Sequence, residues 1–192
     1  MIFDKITFGT SNLHKLEEAR KVFESTGIQI DHYPVDLLEL QDSSLEKIAI
    51  YSLETLQIKE KKIFVEDTGL FIESLQGFPG PYAAHAFKTI GNDGILRLML
   101  GIENRVAYFE SCIAFRNFDN QIVSFTARCK GSISNSIQGE KWGFDPIFIP
   151  KHFDNPNNLT FSQLGDDLKS KISHRALVLE KLKNYLVNKN ST

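Results

Sequence analysis

The sequence predicts an α/β fold, built as a mixed twisted sheet with flanking helices and two lobes around a central cleft. Three observations lead there. Strand-like runs alternate with helical periods through the first half of the chain. The first strand, Lys5 to Phe8, passes through a small polar turn straight into a helix. Later, two long strand-like runs, Arg105 to Phe118 and Gln121 to Ser132, are joined at Asp119-Asn120 as a hairpin.

Bulk properties narrow the classes. The chain has 192 residues, 42% of them hydrophobic and 24% charged, which suits one soluble globular domain over residues 1–188 with a short tail at 189–192. Net charge is −2, so no global basic field draws nucleic acid, and any attraction for an anion must be local. No apolar run reaches membrane-spanning length. Met1-Ile2-Phe3-Asp4-Lys5 lacks the regions of a signal peptide, so the expected location is cytoplasmic. Cys112 and Cys129 are expected as buried thiols, since a reducing compartment disfavours their pairing. Zinc-binding cysteine or histidine spacings are missing from the sequence.

The elements follow in order. After Lys5–Phe8 comes the turn Gly9-Thr10-Ser11-Asn12, then a helix from Leu13 to about Ser25 with Leu16, Ala19, Val22 and Phe23 on its apolar side. Strand, tight turn and helix together suit a phosphate, because free N–H groups and the helix dipole face the turn. Lys15 lies in that first turn, where the dipole opposes a cation. It marks either an anionic ligand or a solvated surface lysine. Gly27 ends the helix. Ile28 to Val35 is a second strand interrupted by Pro34, and Asp36 to Gln41 is a loop carrying Glu39. Ser43 or Ser44 caps a helix to about Ile58, and Lys59 to Lys62 is a solvated charged turn.

Ile63 to Val65 reads as a short buried strand ending at Glu66 and Asp67. Carboxylates there are costly unless something pairs with them. Asp67-Thr68 has two readings: an N-cap for a following helix, or a carboxylate that holds a divalent metal and activates a water. Gly77-Phe78-Pro79-Gly80-Pro81 is a rigid loop, Tyr82 to Phe87 a short helix, and Asn92 to Leu100 a helix with Ile95, Leu96 and Met99 inward. After the hairpin, Lys130 to Lys141 is a polar connection. Trp142-Gly143-Phe144-Asp145 can form a flat aromatic slot with an acceptor beside it, or simply open a core strand from Phe144 to Ile149. Pro150 to Asn158 is loop. The last helix runs from near Ser173 to about Val187, with Leu177, Leu179, Leu182 and Leu186 buried. His174 and Arg175 fall in its first turn, where cations need an anion or carbonyl nearby.

Four blocks in this order resemble one family: Thr10-Ser11-Asn12 with Lys15, Glu66-Asp67-Thr68-Gly69-Leu70 followed by Gly77-Phe78-Pro79-Gly80-Pro81-Tyr82, Gly143-Phe144-Asp145-Pro146-Ile147-Phe148, and Ser173-His174-Arg175. They look like the signature of the inosine triphosphate pyrophosphatases, also known as Ham1-like or non-canonical purine NTP pyrophosphatases. The resemblance implies hydrolysis of ITP, dITP and XTP to the monophosphate and pyrophosphate, with Mg²⁺ as cofactor (Mn²⁺ a substitute) and a homodimer as the assembly. It implies Asp67 as catalytic base, Glu39 and Asp67 as metal ligands, and substrate contacts from Thr10, Ser11, Asn12, Lys15, Thr68, Trp142, Gly143, Phe144, Asp145, Lys169, His174 and Arg175. The chain departs from the family in places. Trp142 replaces the usual Phe, and Tyr51 stands where many relatives present a lysine, as in the archaeal branch. A base with a 6-oxo acceptor would suit donors from His174 and Arg175 and leave adenine mismatched. Two other readings remain: a Maf-type pyrophosphatase for pyrimidine or methylated nucleotides, and a nucleotide-binding regulator without turnover.

Overall fold

A computed structural model describes residues 4–58 and 62–190. Residues 1–3 of the N-terminus, 59–61 of the charged turn and 191–192 of the tail lie outside the described residues. The strands are β1 (Lys5–Gly9), β2 (Gln29–Tyr33), β3 (Ile63–Ile72), β4 (Pro79–Gly80), β5 (Val106–Arg116), β6 (Ile122–Ile133) and β7 (Phe148–Pro150). The helices are α1 (Leu13–Phe23), α2 (Leu45–Glu54), α3 (Ala83–Thr89), α4 (Gly91–Leu98), α5 (Asp166–Ile172) and α6 (His174–Asn190). The mixed α/β fold is the one expected. Among the described residues seven strands pair in the order β2-β1-β3-β5-β6-β7, with β4 beside β3.

The chain forms two compact units. The first holds Met1–Asp67, Ser111–Ala127 and Arg175–Thr192; the second holds Thr68–Glu110 and Arg128–His174. In the first unit β1 is parallel to β2, Lys5 opposite Gln29 through Gly9 opposite Tyr33, and also parallel to β3, with Phe8 opposite Phe64. Parallel strands need a crossover, and α1 supplies it between β1 and β2. The rings of Phe8 and Phe64 stack at 4.2 Å. Around them Leu16, Ala19 and Phe23 of α1 and Val178, Leu179, Leu182 and Leu186 of α6 complete a core. Each fully buried large apolar side chain here contributes roughly 1.5–3 kcal/mol.

The second unit has its own core of Leu70, Ile95, Met99, Phe109, Phe148, Phe161 and Ile172, among others. There β4 pairs antiparallel with β3, and β7 with β6. Gly131 of β6 lies opposite Pro150 of β7, and a Cβ there would stand 2.2 Å from the Ile149 carbonyl oxygen. Only glycine lets these backbones approach so closely.

Several local expectations change. β3 does not stop at Val65; it runs on through Glu66, Asp67 and Thr68 to Ile72. The helix-cap reading of Asp67-Thr68 therefore fails, because strand follows rather than helix. α2 ends at Glu54, not near Ile58, and β6 extends to Ile133. Asp145–Ile147 is a 3₁₀ turn, so the strand after it shortens to Phe148–Pro150. α5 is an additional helix, and α6 continues past Val187 into the expected tail. Leu177 is exposed, since the buried stripe of α6 passes through Val178, Leu179, Leu182 and Leu186. Cys112 and Cys129 are buried thiols, and burial pushes the Cys129 thiol up to about 12.

Candidate active site

The expected site residues fall into two groups, one in each unit. In the first unit the turn after β1 is built by its own side chains. Thr10 is buried, and its Oγ1 accepts from the Asn12 N–H at 3.1 Å. Asn12 caps α1, its Oδ1 accepting from the N–H groups of His14 at 3.0 Å and Lys15 at 3.2 Å. Ser11 between them is exposed. Free N–H groups are the expectation at this turn; those of Asn12, His14 and Lys15 are instead taken by the Thr10 and Asn12 side chains, which compete well for orphan donors.

Lys15 is not a loose surface lysine. Its Nζ donates to the Glu66 carbonyl at 2.9 Å and lies 3.7 Å from a Glu66 carboxylate oxygen. Glu66 is 4% exposed. Its carboxylate accepts from Ser111 Oγ at 2.7 Å and from Arg175 Nε at 2.9 and 3.0 Å. Arg175, 7% exposed, also donates from Nη1 to Glu18 at 2.7 Å. Burial alone would push the Glu66 carboxyl up. The charges of Arg175 and Lys15, with the Ser111 and Arg175 hydrogen bonds, outweigh that and hold it down at about 2. Burial likewise works against the Arg175 charge, yet Glu66 and Glu18 raise its pKa above the usual value. The anion that a cation in the first turn of α6 requires is thus found inside the protein.

Asp67 follows Glu66 in β3 and leaves the strand on the opposite face, partly buried. Glu39 is exposed in the segment before α2, anchored where Ser52 Oγ of α2 donates to the Leu38 carbonyl at 3.0 Å. Among the described residues no group of three or more His, Cys, Asp or Glu is assembled for a metal. The two residues expected to hold a metal, Glu39 and Asp67, are carboxylates, a donor type that suits a hard cation such as Mg²⁺.

In the second unit Gly143 has φ +70°, a backbone shape that glycine adopts freely, and it turns the chain between Trp142 and Phe144. Asn92 Nδ2 of α4 donates to the Gly143 carbonyl at 3.1 Å. Phe87 of α3 meets Trp142 at 5.9 Å and the Phe144 ring edge-on at 5.5 Å. Phe144 is core, while Trp142 remains 57% exposed. The partner that buried Asp145 needs is Lys169 of α5, 2.6 Å away. His174 is buried and stacks on Phe109 at 4.5 Å. Thr68 is partly buried in β3.

The sequence model of the Ham1 family matches residues 6–185. The chain belongs to the Ham1 family. It is 42% identical over 186 residues to a dITP/XTP pyrophosphatase of Methanopyrus kandleri, spanning 96% of this chain and 97% of that one. A dITP/XTP pyrophosphatase of Korarchaeum cryptofilum is 44% identical over 182 residues, 94% and 95% of the two chains. Among solved structures, a HAM1 protein from Coxiella burnetii matches with TM-score 0.81 over 98% of this chain and 100% of its own, at 23% identity, a likeness of fold. A nucleoside-triphosphatase / dITP/XTP pyrophosphatase from Mycobacterium abscessus matches with TM-score 0.69 at 27% identity, over 93% and 97%.

In this Ham1-family chain, Glu18, Ser111 and Asn92 went unnoticed in the sequence. Glu18 reads there as one more charge on an exposed helix face. The signal for Glu66 was present, since a carboxylate directly after Ile63-Phe64-Val65 needs a partner.

Proposed function

We propose that this chain hydrolyses non-canonical purine nucleoside triphosphates, dITP, ITP and XTP, to the monophosphate and pyrophosphate. The observation that carries the reading is the likeness, at 42% identity across nearly the whole chain, to proteins named dITP/XTP pyrophosphatase. The structure is consistent with it. The Thr10–Asn12 turn, the start of α1, Lys15 and Thr68 are assigned to the triphosphate. Glu39 and Asp67 are assigned to Mg²⁺, with Mn²⁺ as a substitute. When bound, the ion would neutralise phosphate charge that Lys15 alone cannot.

Asp67 takes the proton from the attacking water. The water oxygen bonds to the α-phosphorus, the bond from that phosphorus to the bridging oxygen breaks, and pyrophosphate leaves with the electron pair. Trp142 stacks on the base beside Gly143 and Phe144, Asp145 accepts from the base N–H groups, and Lys169 is assigned with Lys15 to the triphosphate charge. His174 and Arg175 donate to the 6-oxo group. Two nitrogens of Arg175 are already engaged by Glu66 and Glu18, so Nη2 is the one assigned to the base. An amino group in that place leaves donors unpaired, a mismatch of about 1–3 kcal/mol or roughly 10- to 100-fold. A cytoplasmic homodimer completes the reading; no described helix is long and apolar enough to cross a membrane.

Pyrophosphate release measured with dITP, ITP, XTP, ATP, dGTP and methylated pyrimidine triphosphates in the presence of Mg²⁺ tests it. Preference for the first three supports the reading. Preference for pyrimidine or methylated substrates would select the Maf-type alternative, and binding without turnover the regulator.

A further inference from the structure

We propose that Glu66 is a positioning residue whose carboxylate and carbonyl together set where Lys15 and Arg175 point. The inference rests on the reading above, in which those two cations meet the substrate. Three observations carry it. First, one residue grips both cations by different groups: the carbonyl takes Lys15 Nζ at 2.9 Å, and the carboxylate takes Arg175 Nε at 2.9 and 3.0 Å. Second, both ends of the Arg175 contact are restrained. Ser111 Oγ holds the Glu66 carboxylate at 2.7 Å, and Glu18 holds Arg175 Nη1 at 2.7 Å, so the guanidinium plane is fixed. Third, the neighbours of Glu66 argue against a charge placed for stability. Ile63, Phe64 and Val65 are fully buried, and an apolar residue would continue the run. A buried ion pair is weak evidence for stability, while its fixed geometry can specify an arrangement.

The geometry leaves each cation something to offer. An ammonium has three N–H bonds, and the Glu66 carbonyl takes one of those of Lys15. The hydrogen bonds to Glu66 and Glu18 leave Nη2 of Arg175 for another acceptor. Glu66 thereby aims donors that would otherwise swing on long side chains. Misplacing a positioned group by about 1 Å can cost roughly 10²-fold in rate.

A plain counter-charge would behave oppositely. Glu66→Gln keeps the shape and raises the cluster's charge by one unit. If Glu66 only offsets charge, the variant binds polyanions more tightly. If it positions the cations, binding and turnover both fall. The test compares wild type, E66Q and S111A by calorimetric binding of inorganic tripolyphosphate and by kcat/KM for dITP with Mg²⁺. We expect E66Q to lose about 10- to 100-fold in kcat/KM and, because it removes the carboxylate that lies 3.7 Å from Lys15 Nζ, to bind tripolyphosphate more weakly. S111A, which keeps every charge, should lose a smaller factor in the same direction. A folded E66Q with wild-type kcat/KM, or with tighter tripolyphosphate binding, overturns the inference. Should E66Q not fold, S111A decides, and wild-type values for it overturn the inference as well. Failure of the wild-type protein to release pyrophosphate from dITP would instead sink the functional reading, and the tripolyphosphate isotherms would still test the positioning role.

Discussion

Replacing Arg175 with Met keeps a long side chain in a buried place and removes its charge. Glu66 then loses the Arg175 Nε contacts and keeps Ser111 at 2.7 Å and Lys15 at 3.7 Å. Removing one partner of a buried ion pair costs about 3–5 kcal/mol, because the other charge stays buried. The remaining Lys15 charge places this variant at the lower end, near 3 kcal/mol by the same rule. For a chain of this size each kcal/mol moves Tm by about 2–4 °C, so the expected drop is roughly 6–12 °C. Circular dichroism melts measure it best, since the single tryptophan, Trp142, lies in the other unit and reports on that one. Adding Glu66→Gln to Arg175→Met removes the stranded charge, and the double variant should melt above the single one. A single variant melting within about 2 °C of wild type would refute the reasoning. So would a double variant in which the two losses simply add.

Four further outcomes are expected. Asp67→Asn should lower kcat by roughly 10²–10⁴ with an unchanged melt, and near-normal turnover would remove Asp67 as the base. Chelation with EDTA should abolish pyrophosphate release and leave the circular dichroism spectrum intact; continued turnover would end the metal assignment. In acid, Glu66 stays ionised in the folded protein down to about 2, while the unfolded chain takes up the proton near the ordinary value of 4.5. The unfolded state therefore binds more protons below that value, and about 3 kcal/mol of stability is lost as pH falls from 4.5 towards 2. Urea midpoints that stay flat across that window would contradict the burial of this charge. Gly131→Ala should cost at least about 1–3 kcal/mol in urea unfolding, because its Cβ would meet the Ile149 carbonyl at 2.2 Å; an unaffected midpoint would mean β7 gives way freely.

What could be read in advance was local. The turn through Thr10 and Asn12 works by hydrogen bonds spanning two and three residues, so residue type and order suffice. The apolar periods of α1 and α4 follow the same logic. The Asp145 carboxylate announced a need for a partner, but Lys169 comes 24 residues later and nothing local names it. β3 is longer than its sequence suggests, because acids suggest the end of a buried strand, whereas here Glu66 is satisfied in place by Ser111, Lys15 and Arg175. α5 lacks an apolar period that would announce it, although Asp166 and Asp167 in its first turn and Lys169 and Lys171 in its last suit the helix dipole. The grip of Glu66 on Arg175 depends on tertiary structure alone.

That grip joins positions 109 residues apart, and the first unit draws on three separate stretches of chain, the last being Arg175–Thr192. Neither unit, then, can be cut out as one contiguous fragment. On the ribosome, at about 5–20 residues per second, Glu66 waits roughly 5–20 s for its arginine to be made. Until then the nascent polypeptide carries an acid destined for the interior that has Lys15 and Ser111 for company but lacks the guanidinium that grips it. Its maturation waits on the synthesis of Arg175.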